Sequence, residues 1–175
     1  MEKDYLVLVN QTDEVLGMME KLEAHQLGLL HRAFSLIIMN SKGEMLIQKR
    51  AKTKYHSPDL WTNACCSHPK PKEELKTAVW RRCKEELGIE LDTEPKSLGY
   101  FCYYKKFDNQ LIENELDHVF LVETDQVFHP NPKEASALKY ISIPKLIEEI
   151  TLFPEHYTYW FKAIMNKQEF VKHFS

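Results

Sequence analysis

Glycine is scarce in this chain, at 5 of 175 residues, and no internal repeat, low-complexity tract or Gly/Ser linker divides it. One domain is therefore expected, since two would each fall near the lower size that buries a stable core. No apolar run approaches the length of a membrane span, and the opening Met1-Glu2-Lys3-Asp4 lacks the apolar segment of an export signal. The expectation is a cytoplasmic protein with no membrane partner. A basic excess is lacking too: the net charge is −3 and the lysines are spread along the chain, which leaves no stripe for a nucleic-acid backbone. Any anion must be held locally. The cysteines, Cys65, Cys66, Cys83 and Cys102, are read as free thiols rather than a disulfide framework. What is present is a globular balance, 43% hydrophobic and 28% charged, without the charge excess of a disordered chain.

The pattern along the chain is mixed α and β. Residues 5–9 form a strand-like apolar run, Asn10 to Asp13 has turn chemistry, and residues 14–18 return as a second strand. A short helix is predicted from Glu20 to about Leu27. Residues 33–39 and 45–49 flank Asn40-Ser41-Lys42-Gly43, whose Asn and Gly tolerate the positive φ of a hairpin turn, so these strands are expected to pair antiparallel. Over residues 73–87 the apolar positions Leu75, Ala78, Val79, Cys83 and Leu87 recur at helical spacing, and Gly88 supplies a stop. Residues 98–107 and 112–124 read as another hairpin around Asp108-Asn109. Pro144 suits the start of a helix over 143–150, and residues 156–170 carry enough apolar side chains for a last packed helix. A sheet flanked by helices results.

Reactive side chains concentrate in Trp61-Thr62-Asn63-Ala64-Cys65-Cys66-Ser67-His68-Pro69. In an extended chain residues two apart share a face, so Cys66 and His68 project together and Cys65 opposes them. The plainer reading, a small buried hydrophobe, is taken for Cys65, Cys83 and Cys102. In Glu113-Asn114-Glu115 both carboxylates likewise share a face; buried at a strand end they need a metal or cation partner, whereas at an exposed end they are simply solvated. His25 and His31 flank the predicted helix-to-strand junction. Singly, each reads as a surface histidine; with His68, Glu113 and Glu115 they make a mixed nitrogen and oxygen set that suits an octahedral divalent ion such as Mg²⁺, Mn²⁺ or Fe²⁺, with zinc also compatible.

The spacing Ser67-x5-Glu73-x7-Arg81-Arg82-Cys83-x-Glu85-Glu86-x-Gly88-Ile89 resembles the Nudix box, a loop-helix element that holds Mg²⁺-diphosphates. It departs from that of a hydrolase at Ser67, where glycine is usual, and at Arg82, where a glutamate would add a carboxylate for metal. The bland alternative is a solvated helix joined by pairs of Arg81 with Glu85 and Arg82 with Glu86, worth tenths of a kcal/mol, about 0.2–0.5 each. Together with Trp61-Thr62-Asn63, Cys66-x-His68-Pro69 and Glu113-Asn114-Glu115, the altered box resembles one family over about residues 4 to 165: the type I isopentenyl-diphosphate isomerases.

That resemblance implies an α+β fold, a Nudix-like mixed sheet flanked by helices, and an enzyme that interconverts isopentenyl and dimethylallyl diphosphate in isoprenoid synthesis. It implies that His25, His31, His68, Glu113 and Glu115 ligate one divalent ion, Mn²⁺ or Mg²⁺, with Zn²⁺ or Fe²⁺ as alternatives. Glu86 corresponds to a ligand of a second, substrate-linked Mg²⁺. Cys66 and Glu115 correspond to the two catalytic positions, and Tyr103, which adjoins Tyr104, to the catalytic tyrosine. Lys21, Arg50, Lys54 and Arg82 correspond to the diphosphate-binding residues and Trp160 to the aromatic that faces the hydrocarbon. The implied partner is a small diphosphate, and the assembly a monomer or homodimer.

The chemistry explains these residue types. Moving the double bond adds a proton at one carbon and removes one two bonds away, through a tertiary carbocation-like state, so an acid and a base must oppose each other. A carboxyl at Glu115, assisted by Tyr103, delivers one proton and the Cys66 thiolate removes the other, with roles reversed in the reverse direction. The thiol, near pKa 8.5 when free, has to be tuned by its surroundings. A π face at Trp160 stabilises the cation by roughly 2 kcal/mol when desolvated, while Arg and Lys grip the phosphates. Two other readings stay in play: a pyrophosphohydrolase of diphosphates, which would release orthophosphate, and a non-catalytic metal-binding module, which would be indifferent to alkylation of Cys66.

Overall fold

Strand β3 (His31–Met39) organises the molecule, because its two edges are used differently. One edge pairs in parallel with β8 (Ile112–Glu123) over the whole strand, from His31 opposite Glu115 to Met39 opposite Glu123. The other edge is shared end to end by three short partners: β1 (Tyr5–Val9) at His31, β6 (Cys65–Ser67) at residues 34–36, and β4 (Glu44–Arg50) at Ile38 and Met39. This computed structural model describes residues 4–54 and 56–174. Met1-Glu2-Lys3, part of the stretch on which the expectation of no export signal rests, lie outside the described residues. No helix among the described residues is long and apolar enough to cross a membrane.

Helices cover both faces of β3, which is why its sequence is apolar without alternation. Phe34, Leu36 and Ile38 pack with Ala78, Val79, Cys83 and Leu87 of α2 (Leu75–Leu87). Ile37 and Met39 point the other way, against Leu146 of α3 (Ile143–Leu152) and Trp160, Phe161 and Ile164 of α4 (Tyr159–Met165). Strand β8 divides likewise: Phe120 and Val122 join the α2 side, Val119 and Leu121 the α4 side. Upstream on that second face the same two-residue period reads Glu113, Glu115, Asp117. The face is thus apolar at one end, where it packs, and ionisable at the other.

Most predicted elements are present. Strand β1 and β2 (Val15–Glu20) form a hairpin, α1 (Lys21–Leu27) follows, and β7 (Lys96–Lys106) pairs with β8 antiparallel. Three expectations are corrected. The hairpin of β3 and β4 is antiparallel but pairs only at Ile38 with Leu46 and Met39 with Met45; beyond that β4 pairs with β9 (Ala135–Ser142), a strand the sequence did not announce, and with the two-residue β5 (Trp61–Thr62). The last helix is broken into α4 and α5 (Gln168–Val171), with Lys167 extended between them, and the break lets Phe170 and Phe174 fold back onto the α4-side core. Cys102 is exposed on β7 rather than buried like Cys65 and Cys83.

The turn after α2 needs its glycine. Gly88 caps the helix at φ 71°, and a Cβ there would stand 2.4 Å from the backbone oxygen of His129. Gly88→Ala is therefore expected to lower stability by at least about 1–2 kcal/mol, the ordinary cost of a left-handed residue, with the steric contact adding to it. Urea unfolding checks this, and a midpoint equal to wild type would contradict it.

Candidate active site

The ionisable end of the β8 face meets the start of β3. The register sets His31 beside Glu115, α1 brings His25 against them, and the chain leaving β6 brings His68. Each of these four residues offers a ligand atom, and the atoms all lie within 4.8 Å of one another. Gly28, left-handed at φ 64°, turns α1 back into β3, and its carbonyl accepts from Asn114 Nδ2 at 3.0 Å, tying the turn to β8.

His31 Nδ1 lies 2.8 Å from the Leu29 carbonyl, which can only accept, so Nδ1 carries a proton and Nε2 faces the cluster. That Nε2 is buried, has no hydrogen-bond partner among the described residues, and stands 3.5 Å from Glu115 Oε1. His68 Nε2 is 3.0 Å from the same oxygen. Burial, reinforced by the neighbouring imidazoles of His31 and His68, pulls the His25 imidazole down to about 3 and keeps it neutral. Burial alone would raise Glu115, yet His31 and His68 hold its carboxyl well below the usual carboxylate range. Burial lowers the His68 imidazole too, whereas at His31 the Glu115 carboxylate overcomes burial and raises it; three imidazoles and an ionised carboxylate converging on one buried point are a donor set for a divalent cation, and the chain fits one.

Glu113, expected in the same ligand set, stands beside the cluster of four rather than in it. Its Oε1 is 2.9 Å from His56 Nε2 and its Oε2 is 2.9 Å from the Tyr103 hydroxyl. That hydroxyl is also 2.6 Å from Glu115 Oε2, so one proton serves two carboxylates and a positive charge is called for nearby. Tyr103 is buried and Tyr104 is exposed, which separates the two adjoining tyrosines.

Cys66 arrives on the same face by strand alternation. Pairing of β6 with β3 sets Cys66 opposite Ser35; Cys65 turns into the α2-side core and Cys66 into a cavity of about 90 Å³, which Ser67 and His68 also line. The thiol donates to Asn63 Oδ1 at 2.9 Å, and its sulfur accepts from Trp160 Nε1 at 2.9 Å. Burial and the neighbouring Asp117 push the thiol up to about 12. Asp117 is itself 1% exposed; it accepts from Ser35 Oγ at 2.8 Å, and its Oδ1 has no partner among the described residues. Burial, with the nearby Glu115 carboxylate, holds its carboxyl well above the usual range.

Glu115, Glu113 and Trp160 line the cavity too, and so do Lys21, Arg50, Lys54, Arg82 and Glu86. Each cation has a partner already. Lys21 Nζ is 3.4 Å from Asp4, Lys54 pairs with Glu134, and Arg82 bonds Glu86 at 2.5 Å and Glu85 at 2.6 Å. Arg50 donates to the carbonyls of His56 and Ser57, both at 3.2 Å, with its Cζ 5.3 Å from the centre of the Trp160 ring. Gln48 Nε2 donates to Glu86 at 3.0 Å. Sequence reasoning missed His56, Glu134, Asn63 as the thiol's acceptor, and Asp117. Only Asp117 carried a signal, the two-residue period running on from Glu113 and Glu115.

A mixed sheet with α2 against one face and a metal-fitted pocket beside it defines a NUDIX-type protein: residues 29–161 match the family model described as NUDIX domain. Solved structures agree on the fold. A crystal structure from Deinococcus radiodurans superposes with a TM-score of 0.71 at 23% identity, covering 85% of this chain and 90% of that one. The MutT protein from Methanosarcina mazei Go1 gives 0.64 at 20% identity, covering 83% and 92%. Among curated proteins, isopentenyl-diphosphate Delta-isomerase 2 of Photorhabdus laumondii is 45% identical over 163 residues, 93% of this chain and 91% of that protein. Isopentenyl-diphosphate Delta-isomerase of Pectobacterium atrosepticum is 45% identical over 157 residues, 90% of this chain and 87% of that protein. The chain belongs to the isopentenyl-diphosphate Delta-isomerase family.

Proposed function

We propose that the chain transposes the double bond of isopentenyl diphosphate to give dimethylallyl diphosphate, with Cys66 and the Tyr103–Glu115 pair as the two proton-carrying groups. The observation that carries the reading is that the sulfur and the Glu115 carboxylate line one small cavity together with Lys21, Arg50, Lys54 and Arg82. A five-carbon alkenyl group with a diphosphate head matches that division.

Forward turnover starts from the form in which the proton of Cys66 has been given up and Glu115 has taken one up; Glu115, steadied by the Tyr103 hydroxyl, then gives that proton to the terminal alkene carbon while the sulfur takes one from the carbon two bonds away, which restores the thiol and the carboxylate. For this Cys66 must first lose its own proton. Trp160 Nε1 at 2.9 Å and the Thr62 hydroxyl at 3.7 Å supply donors to the resulting thiolate. Trp160 thus serves the sulfur through its N–H, while its ring walls the hydrocarbon end. Lys21, Arg50, Lys54 and Arg82 bind the diphosphate by exchanging their present partners for phosphoryl oxygens. His25, His31, His68 and Glu115, with Glu113 beside them, would hold Mn²⁺ or Mg²⁺, and Glu86 the Mg²⁺ that travels with the substrate. A bound cation supplies positive charge that two carboxylates sharing one hydroxyl proton otherwise lack. Arg82 at a position where a hydrolase has a carboxylate favours retention of the diphosphate over its cleavage. A cytoplasmic setting belongs to the same reading.

Proton NMR of isopentenyl diphosphate with the chain and Mg²⁺ in D₂O tests it. The expected result is the allylic isomer with deuterium incorporated and no orthophosphate. Phosphate release without isomer would favour the hydrolase reading instead.

A further inference from the structure

His56 stands where the metal-fitted end of the pocket meets its aromatic wall, on the turn between β4 and β5. Its Nε2 lies 2.9 Å from Glu113 Oε1, a carboxylate oxygen that can only accept while Glu113 is ionised. Its ring stacks on Phe107 at 5.4 Å and 25°, and meets Trp160 edge-on at 5.8 Å and 81°. The backbone beneath it is over-determined. Arg50 grips the carbonyls of both His56 and Ser57, and Ser57 and Asp59 hold left-handed conformations at φ 47° and 62° without being glycine. Such conformations cost of order 1–3 kcal/mol each and persist where the surroundings fix them.

The bond from His56 has a geometric consequence for Glu113. Each of its two oxygens has its own partner, one His56 and the other Tyr103, so the carboxylate plane is fixed beside the four-residue cluster. We propose that His56 is a positioning residue that orients Glu113 toward the metal, with the rings of Phe107 and Trp160 holding His56 in place. The role is that of the outer hydrogen-bonding partner on which ligand carboxylates depend, and replacing such a partner typically weakens metal affinity roughly 10- to 100-fold. The inference rests on the proposed metal site, so its test reads metal binding directly.

Two substitutions separate donor from ring. His56→Phe keeps an aromatic between Phe107 and Trp160 and removes the N–H; His56→Gln keeps an amide N–H at comparable reach and removes the ring. Mn²⁺ titrations of each purified variant, followed by the EPR signal of the free ion, give the affinity, and circular dichroism reports the fold. The expected result is about 10- to 100-fold weaker binding for His56→Phe, with His56→Gln staying close to wild type. If His56→Phe binds Mn²⁺ like wild type, or if His56→Gln is the weaker variant, the ring only packs and the proposal is overturned. If the unaltered chain binds no Mn²⁺, the metal site itself fails and the proposal with it, while deuterium incorporation by the same sample reports separately on the isomerase reading.

Discussion

Cys66→Ala is expected to lower isomerisation of isopentenyl diphosphate by about 10³-fold or more, toward the upper part of the 10²–10⁴ that a positioned proton-transfer group ordinarily contributes. Nothing else at the site can take over. Cys65 faces the α2-side core, and Asp117 is engaged by the Ser35 hydroxyl. Because the sulfur is not among the clustered ligand atoms, Mn²⁺ affinity and inorganic pyrophosphate binding should be unchanged in this variant. Alkylation provides a chemical version of the experiment. The exposed Cys102 will react first, so modification has to be mapped by mass spectrometry, with substrate protecting Cys66 alone. Activity within tenfold of wild type in the alanine variant would remove the thiol from the reaction.

Glu115→Gln is expected to be at least as damaging, because one carboxylate has two tasks. It faces His31 Nε2 at 3.5 Å and His68 Nε2 at 3.0 Å through Oε1, and Tyr103 at 2.6 Å through Oε2. Glutamine keeps the shape but carries neither the charge nor a transferable proton. Isomerisation should drop about 10⁴-fold, the upper end for a general acid or base, and metal retention should fall in the same preparation. Metal analysis after gel filtration beside the NMR assay distinguishes the two losses. A variant that keeps its metal and loses turnover would leave Glu115 as proton carrier only; one that keeps both would remove it from the site.

The sequence was most legible where a period could be counted. The two-residue alternation that set Glu113 with Glu115 is realised by β8, Cys66 and His68 meet at one cavity as β6 ends, and the 3.6-residue period of α2 ends at Gly88 as the pattern required. Strand β9 was not legible, because Ala-Ser-Ala-Leu-Lys-Tyr is weakly apolar and its place is decided by pairing with β4, far away in the chain. His56 had no signal for a related reason. It sits in an irregular turn whose shape depends on Arg50, so nothing in its immediate neighbours announces that its ring points inward. The partition of the five expected ligands into a cluster of four and one neighbour was equally out of reach, since it depends on which oxygen each donor claims.

Strand β3 also acts as a calliper. Cys66 hangs on it opposite Ser35 and Glu115 opposite His31, so four residues of one rigid strand, about 13 Å of backbone at 3.3 Å per residue, set how far apart the two reactive side chains are rooted. The adjacent Cys65 shows what the register of β6 guards: a slip of a single step would turn every side chain of that strand to the other face, sending Cys66 into the α2-side core and Cys65 toward the cavity.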